Sequence, residues 1–290
     1  MRTAIEAALR EALSDPELTL GRLVPSGGGC INNAVRAETS AGEFFVKWNA
    51  DCADDLFLGE AASLRELAAA TSPLVLPRVY GAWGAKPGRP PMIVMQALRI
   101  GRSADSEAVL GRGLATLHRT RAARHGFAVR TYCGATPQDN TWTDSWLEFY
   151  RDRRLRVILD LIAVKRGLGP AAQGTYDDLL GKLERWIPRD VVPSLLHGDL
   201  WGGNVIDTHD GPAIVDPACA YGDREAELGM MTLFGGFGGH FWRAYEEEWP
   251  LPPEWHERNG LYQLYHVLNH EYLFGGHYGA QALSIARRYL

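Results

Sequence analysis

The stretch that decides the fold is residues 196–206, LHGDLWGGNVI, followed ten positions further on by Asp216 in the apolar segment AIVDPA. Asp199, Asn204 and Asp216 have the spacing of an H-x-D-x-x-x-x-N catalytic loop and of the metal-binding Asp that follows it. In such loops the first Asp accepts the proton of a substrate hydroxyl, while the Asn and the second Asp hold magnesium beside nucleotide phosphates. The spacing therefore predicts Asp199 as the catalytic base, Asn204 and Asp216 as Mg²⁺ ligands, and ATP as the phosphoryl donor.

The residues around this motif make the match more specific than its individual letters. Apolar residues precede and follow the loop, and Asp216 ends a second apolar segment, so two short strands are predicted here. A hairpin of that shape would bring Asn204 and Asp216 to one end, as metal sharing requires. The alternative is that the two Asp side chains only cap turns, where this residue type is common.

A second group of candidate residues lies in the N-terminal third. Gly27, Gly28 and Gly29 separate two predicted strands, and Lys47 lies near the end of a third strand, GEFFVKW. Glycines let backbone N–H groups approach phosphates, although a flexible hairpin would have the same composition. A lysine in an apolar strand needs a partner, and Glu60 in the following helical segment could supply one. Such a pair orients ATP phosphates in kinase-like folds; the alternative is a solvent-facing edge-strand lysine and a surface glutamate.

The order of the predicted elements indicates an α+β protein. The first 95 residues read as a mostly antiparallel sheet with one inserted helix, and the strands lie near 19–25, 31–38, 42–48, 77–83 and 91–95. Long amphipathic helices follow, including 106–122, 142–166 and 174–187. The short strands that carry the opening motif interrupt them at 194–197, 204–207 and 212–216.

This order predicts a bilobal protein-kinase-like fold. The expected parts are an ATP-binding lobe over 1–95, a hinge at 96–99, and a larger helical lobe over 100–290 that carries the catalytic loop and the substrate site. The basic segment RDRRLR, residues 151–156, lies in a helical pattern, and we expect it to form a solvated helix face.

Composition narrows the class of protein. The net charge is −5 and the isoelectric point is near 6.0, so no basic field would attract nucleic acid. No apolar run approaches the ~20 residues that cross a bilayer, and the first residues lack the pattern of a signal peptide. The cysteines are widely scattered with no C-x-x-C pair, which indicates reduced thiols in a cytoplasmic protein rather than a disulfide frame or a zinc site. They are Cys30, Cys52, Cys133 and Cys219.

Three further side chains invite a functional interpretation. Trp201 follows the catalytic Asp–Leu pair and could stack on a sugar or a cation at the mouth of the cleft, or pack against the lobe instead. His197 could act as a base, but its position in the motif favours a hydrogen-bonded structural histidine. The same interpretation applies to His118 at the end of its helix.

The sequence closely resembles the fructosamine kinase (ketosamine-3-kinase) family, part of the aminoglycoside phosphotransferase-like branch of the kinase fold. The likeness covers almost the whole chain, and the combination HGDLW-x-GN with DPA-x-x-YGDRE is its most specific part. It rests on the following segments: GGGCINNAVRAET, FFVKWN, GEAASLREL, LATLH, TPQDNTWTDSWLEFYRDRRL, SLLHGDLWGGNV, AIVDPACAYGDREAELGMMTLFGGF and LYQLYHVLNH.

The resemblance implies ATP-dependent phosphorylation of the 3-hydroxyl of ketosamines, the adducts that sugars form on amines during glycation. The 3-phosphate is expected to break down and free the amine, so deglycation would be the outcome. By motif, Asp199 would be the base, Asn204 and Asp216 would hold Mg²⁺, and Lys47 with Glu60 would orient the phosphates. The sugar could be fructose, ribulose or erythrulose, on a free amine or on a protein, and no oligomeric state is indicated.

The resemblance also assigns residues around the nucleotide and the acceptor. Backbone groups of Gln96 and Leu98 would take the adenine edge, and Trp201 would lie by the sugar. Cys30 comes directly after the glycines, where it could be redox-active or a small strand residue with no redox role. The family usually has Ser where Gly202 stands, which affects the expected sugar preference.

Two alternative functions compete with this interpretation. Within the enzyme class, the acceptor could be an aminoglycoside, choline or another amino-alcohol. A polycationic acceptor would need a cleft rich in carboxylates, for which the sequence offers only Asp223, Glu225 and Glu227. A different class of answer is a nucleotide-binding module without catalysis, against which the complete set of motif residues argues.

Overall fold

A computed structural model describes residues 1–26 and 32–290 of the chain. Gly27, Gly28, Gly29 and Cys30 lie outside the described residues. The strands are β1 (Leu20–Pro25), β2 (Asn33–Thr39), β3 (Gly42–Trp48), β4 (Val79–Trp83), β5 (Met92–Gln96), β6 (Thr131–Cys133), β7 (Thr136–Gln138), β8 (Ser194–Leu196), β9 (Val205–Thr208), β10 (Gly211–Ile214) and β11 (Ala220–Gly222). The α-helices are α1 (Arg2–Leu13), α2 (Leu56–Ala69), α3 (Ser106–His118), α4 (Trp146–Glu148), α5 (Arg156–Arg166), α6 (Pro170–Leu180), α7 (Arg224–Phe234), α8 (Gly239–Glu248), α9 (Trp255–Phe274) and α10 (Tyr278–Arg287).

The first five strands form one antiparallel sheet in the order β1-β2-β3-β5-β4. β3 is the central strand, and Lys47 pairs with Ala34 on one side and Ile93 on the other. Successive side chains of a strand point to opposite faces. Val46 packs in the apolar cluster under α1, whereas Phe45 packs in the cluster under α2. Lys47 therefore projects toward α2, and it does not lie on an edge strand.

Helix α2 turns a glutamate toward this sheet. Leu56, Glu60 and Leu64 are four residues apart and all three are buried, which places them on one face of the helix. The two leucines belong to the cluster that packs on Ile93 and Met95 of the sheet. Glu60 is held between them, so apolar packing brings its carboxylate beneath β3.

The helical part of the chain is built around α9, which packs against α5, α7 and α10. Its core contains a group of stacked aromatic rings, with Trp146 against Phe149 and Tyr150. Tyr150 and Tyr262 meet edge to face with ring centroids 5.3 Å apart. Two short antiparallel pairs, β8 with β11 and β9 with β10, lie beside this core and carry the predicted catalytic segment.

The sheet-and-helix fold class is as predicted, but several elements differ. The helix predicted over 106–122 ends at His118, because the chain then extends to pair Arg121 with Ser194. Residues 149–155 form a π-helix rather than the middle of an α-helix, and the last predicted helix residues of 174–187 give way to a 3₁₀ turn. The β6–β7 hairpin and β11 were not expected.

The basic segment RDRRLR does not form a uniformly solvated face, so that expectation is wrong in part. Arg154 is buried, and its guanidinium donates to Oδ1 of Asn140 at 2.7 Å and to the carbonyl of Asp139 at 2.8 Å. The π-helical turn places one more residue per turn than an α-helix, so a pattern based on 3.6 residues per turn does not identify the inward side chain. Among the helices of residues 1–26 and 32–290, none is long and apolar enough to cross a membrane.

Candidate active site

Lys47 joins the N-terminal sheet to the predicted metal-binding segment. Its Nζ lies 2.8 and 3.0 Å from the two carboxylate oxygens of Glu60, and 2.7 Å from Oδ1 of Asp216. Lys47 is 5% and Glu60 8% exposed, whereas the Asp216 side chain is 44% exposed. Burial alone would lower the pKa of Lys47, but the two carboxylates outweigh it and hold this pKa above its ordinary value. The lysine is therefore a fixed cation between two segments 169 residues apart in sequence.

The β9–β10 hairpin brings Asn204 and Asp216 to the same end. Val205 pairs with Ile214, and the N–H of Val215 donates to the carbonyl of Asn204 at 3.0 Å. Asp216 follows immediately in a left-handed conformation, with φ at 59°. Few residues other than glycine adopt this conformation, and it redirects the chain out of the strand. The predicted hairpin geometry is thus present.

These two side chains offer oxygen ligands that suit a hard divalent cation. Nδ2 of Asn204 donates to the backbone carbonyl of Asp199 at 2.8 Å, which turns the carboxamide oxygen to the other side. Oδ1 of Asp216 accepts from Lys47, and its second oxygen belongs to a partly exposed carboxylate. Carboxylate and amide oxygens are the ligands that Mg²⁺ accepts, with water and phosphate completing its octahedron. The residues present therefore fit Mg²⁺.

Asp199 sits at the start of the catalytic loop beside a buried thiol. Burial raises the pKa of Asp199 to about 7, a hydrogen bond from the Cys133 thiol opposes that rise, and the carboxylates of Asp216 and Glu227 add to it. A carboxylate with a pKa near neutrality is suited to accept a proton at physiological pH. This environment supports the predicted role, and no sequence pattern indicates Cys133 as the neighbour of Asp199.

Glu227, which the sequence suggested only as one of three possible cleft carboxylates, anchors the backbone of the catalytic loop. Its two oxygens accept from the N–H of His197 at 2.8 Å and of Gly198 at 2.7 Å. It also contacts Nε2 of His118 at 3.1 Å, while Nδ1 of His118 lies 2.8 Å from the Tyr245 hydroxyl. Glu227 lies four residues after Asp223 on α7, within the motif YGDREAE. That spacing is the signal from which an inward-facing carboxylate could have been predicted.

His197 is structural, as the motif suggested. The ring is buried, its Nε2 donates to the carbonyl of Val215 at 2.9 Å, and its Nδ1 accepts from the N–H of Asp199 at 3.3 Å. Burial lowers its pKa, so the ring stays neutral and both nitrogens are engaged. It cannot accept the substrate proton while it holds this position.

The backbone of the loop requires a glycine at 198, and at 203 a side chain would displace the Trp201 ring. A Cβ at Gly198, whose φ is +84°, would lie 2.1 Å from the carbonyl oxygen of Ala218, and a Cβ at Gly203 would lie 2.2 Å from the Trp201 ring. The indole of Trp201 thus lies over the loop backbone, and the residue is 40% exposed. It does not pack into the core of the helical part. Gly202, by contrast, has room for a side chain, since a Cβ there would only reach ordinary contact distance from Gly236.

The predicted adenine-binding residues lie where β5 ends. The N–H of Gln96 donates to the carbonyl of Arg78 at 2.8 Å, and the carbonyl of Leu98 accepts from Arg36 at 2.9 Å. Leu98 itself is buried. The predicted contact of Gln96 and Leu98 with an adenine edge stays a prediction. The glycine turn and Cys30 lie outside the described residues, so their predicted roles stay predictions.

Comparison with known proteins identifies the family. The fructosamine kinase family matches residues 1–290. A chloroplastic protein-ribulosamine 3-kinase of Oryza sativa subsp. indica is 41% identical over 271 residues, covering 91% of this chain and 77% of the relative. The ketosamine-3-kinase of Mus musculus is 37% identical over 294 residues, covering 90% and 93%.

Solved structures agree at the level of the fold. A candidate fructosamine-3-kinase from Thermobifida fusca superposes with a TM-score of 0.84 at 30% identity, covering 98% of this chain and 97% of that one. The aminoglycoside phosphotransferase APH(4)-Ia superposes with a TM-score of 0.61 at 16% identity, covering 99% of both chains, a likeness of fold alone. The kinase-like fold expected from the catalytic loop is therefore confirmed, and the chain belongs to the fructosamine kinase family.

Proposed function

We propose that this protein is an ATP-dependent kinase that phosphorylates the 3-hydroxyl of ketosamines and so leads to deglycation. The observation that carries the proposal is the contact of Lys47 with both Glu60 and Asp216. It links a fixed cation on the sheet to the segment that holds Asp199 and Asn204. Family membership directs the activity to sugar adducts of amines, since relatives at 41% and 37% identity are named ribulosamine and ketosamine 3-kinases.

Each residue of the site has a task in this reaction. Asp199 would accept the proton of the attacking hydroxyl, and its pKa of about 7 keeps it ready to do so near neutral pH. Lys47 would hold the phosphates, and Glu60 fixes the lysine in place. Mg²⁺ held by Asn204 and Asp216 would neutralise charge on the phosphates. Because no side chain needs to form a covalent intermediate, positioning and electrostatics supply the catalysis.

The nucleotide would lie along the end of β5. The carbonyl of Gln96 and the N–H of Leu98 would bind the adenine edge, because the other backbone groups of these residues are already hydrogen-bonded. The glycines of the 27–29 turn would cover the phosphates. This division of the chain into an N-terminal ATP lobe over 1–95, a hinge at 96–99 and a C-terminal lobe is part of the proposal.

The acidic residues after the catalytic loop argue against a polycationic antibiotic as acceptor. Asp223 accepts from the Tyr262 hydroxyl at 2.6 Å, and Glu225 forms two hydrogen bonds with Arg258 at 2.7 and 2.8 Å. Glu227 is used by the catalytic loop itself. All three carboxylates are buried and partnered, so none is offered to an aminoglycoside. The partly exposed indole of Trp201 is a better surface for a sugar ring.

The experiment is an ADP-release assay with a panel of acceptors. Fructosyl-, ribulosyl- and erythrulosyl-lysine would be compared with choline and an aminoglycoside, each with ATP and Mg²⁺, and with Asp199→Asn as the control. We expect turnover of at least one ketosamine and a loss of at least about 100-fold in the control. Turnover of the aminoglycoside alone would refute the substrate, and ATP binding without turnover of any acceptor would favour a non-catalytic module. A cytoplasmic location is also proposed, and the free thiols of Cys52, Cys133 and Cys219 support it.

A further inference from the structure

Asp199 and two other side chains of types that bind metals lie close together. Cys133 at the end of β6, Asp199 in the catalytic loop and His266 on α9 each place a ligand atom within 4.8 Å of the other two. They come from three separate elements, and more than 60 residues separate each from the next in sequence. The cluster therefore exists only in the folded chain, and no C-x-x-C or His spacing in the sequence indicates it.

The histidine is buried and incompletely hydrogen-bonded. His266 is 6% exposed, and its Nδ1 is buried without a hydrogen-bond partner. Leaving a buried polar nitrogen unpaired is energetically unfavourable. A buried imidazole with an unpaired nitrogen, in a cluster with a thiol and a carboxylate, points to a ligand that would use it. Burial lowers the pKa of His266 to about 3, which keeps the ring neutral.

The other two members are also placed to bind a cation. The sulfur of Cys133 accepts from Nδ2 of Asn269 at 3.2 Å, a second contact that fixes its direction. The same amide approaches the carbonyl of Cys133 at 3.3 Å. Asp199 is partly exposed, so a solvated ion could reach the cluster from the side of the catalytic loop.

We propose that Cys133, Asp199 and His266 form an inhibitory binding site for a zinc-class divalent cation. The thiolate and the imidazole select Zn²⁺ over Mg²⁺, and zinc also accepts a carboxylate, so three protein ligands leave a fourth position for water. A thiolate and a carboxylate together balance the charge of the ion, and the thiol proton passes to solvent on binding. With zinc bond lengths of about 2.0–2.3 Å, neighbouring ligand atoms lie about 3.5 Å apart, so a pair of ligand atoms at the 4.8 Å limit would have to approach by about 1.3 Å.

The charges around the cluster permit this ion. Arg154 lies close enough to influence both Cys133 and His266 electrostatically, and by itself it would repel a cation. Its guanidinium is, however, committed to Asn140 and to backbone carbonyls, while the carboxylates of Asp216 and Glu227 act on Asp199. The negative charges of Asp216 and Glu227 offset the repulsion of a cation by Arg154.

Occupation of this site would remove the catalytic base from the reaction. Asp199 cannot accept a proton from a hydroxyl while its oxygen is bound to the cation, so the enzyme would be inhibited and a chelator would restore it. This consequence rests on the proposed function, whereas the binding of the ion does not. The two parts are therefore tested separately.

The binding test uses Co²⁺ as a spectroscopic probe in place of Zn²⁺. We expect a thiolate-to-cobalt charge-transfer band in the parent protein, displaced by Zn²⁺, and its loss in Cys133→Ser. His266→Gln should weaken Zn²⁺ binding by at least about tenfold, the scale of lost ligand support. Cys30→Ser is introduced into the parent and into every variant, so that a thiol outside the described residues cannot contribute. Cys52→Ser is the matched control, because Cys52 is also a free thiol but does not belong to the cluster.

The inhibition test measures ADP release at fixed Mg²⁺ over a buffered range of free Zn²⁺, each variant normalised to its own zinc-free rate. We expect the half-inhibitory Zn²⁺ concentration to rise at least about tenfold in Cys133→Ser and in His266→Gln, and to stay unchanged in Cys52→Ser. A cobalt band that persists in Cys133→Ser, or equal zinc sensitivity in all variants, would overturn the site. If no acceptor is turned over without zinc, the proposed function fails, but the cobalt result still decides whether the metal site exists. Thermal unfolding of each variant confirms that it is folded.

Discussion

Removing Lys47 should destabilise the protein and abolish phosphoryl transfer for two separable reasons. Lys47→Met keeps the length and apolar stem of the side chain but leaves the Glu60 carboxylate, 8% exposed, without its cation. Breaking a buried ion pair in this way costs about 3–5 kcal/mol. At about 2 °C per kcal/mol for a chain of this size, the melting temperature should fall by about 6–10 °C.

A double variant separates stability from chemistry. Lys47→Met with Glu60→Leu replaces the buried pair by apolar side chains, which are next to Leu56 and Leu64 on the same helix face. Replacing both partners is often neutral or stabilising, so most of the lost melting temperature should return. Activity should not return, because neither of the two new side chains can hold the phosphates. We expect kcat/KM to stay at least about 100-fold below the parent in both variants.

The measurements are thermal unfolding followed by circular dichroism and ADP release with the best ketosamine acceptor. Asp216 is 44% exposed on its side chain and keeps access to water, so it should contribute little to the loss of stability. If Lys47→Met has the same melting temperature as the parent, the Lys47–Glu60 pair carries no buried charge. A double variant that regains turnover would show that phosphoryl transfer does not need the lysine, and the proposed role would be abandoned.

Three further changes test the catalytic loop. As a base, Asp199 must be ionised, so kcat/KM should fall as the pH drops through about 7; a flat profile from pH 6 to 8 would contradict this. Because its folded-state pKa of about 7 lies above the ordinary value of 3.8, stability is lost as the pH rises from about 3.8 to about 7, and the full loss is present above pH 7. Asp199→Asn should therefore melt higher than the parent at pH 8, and the gain should shrink by pH 5. Glu227→Ala leaves the N–H groups of His197 and Gly198 without an acceptor, so the free energy of unfolding should fall by about 2–4 kcal/mol in denaturant titrations. Turnover should fall with it. A variant as stable as the parent would argue against Glu227 as the anchor of the loop. Gly202→Ser finds ordinary contact distances, so its stability should change by less than about 0.5 kcal/mol, with any effect confined to the KM for different sugars.

Much of the site could be predicted because short-range patterns determine it. Alternation along β3 decides the face on which Lys47 lies, and the four-residue spacing of Leu56, Glu60 and Leu64 turns the glutamate to that face. Apolar segments on both sides of a short turn predict the β9–β10 hairpin, which brings Asn204 and Asp216 to the same end. Each of these inferences needs only a few neighbouring residues, and the fold class follows from their order.

Other features depend on contacts that no local pattern contains. Glu227 supports the catalytic loop across 29 and 30 residues of sequence, and the same carboxylate could equally have been on a solvated helix face. Cys133 lies in a three-residue strand whose pairing with β7 is visible only in three dimensions. Arg154 is turned inward by a π-helical stretch, and helix periodicity assigns it to the wrong side.

The two carboxylates nearest the catalytic loop take different roles because they receive different numbers of hydrogen bonds. Burial would raise the pKa of Glu227, but hydrogen bonds from His118 and from the N–H groups of the loop outweigh it and lower that pKa. Within residues 1–26 and 32–290, the Cys133 thiol alone lowers the pKa of Asp199, so burial prevails and raises this pKa to about 7. The fully bonded carboxylate is thus a permanent anion that holds the loop, and the under-bonded one can exchange a proton. Environments that separate two neighbouring carboxyl pKa values in this way distinguish a structural anion from a base, and here they favour Asp199.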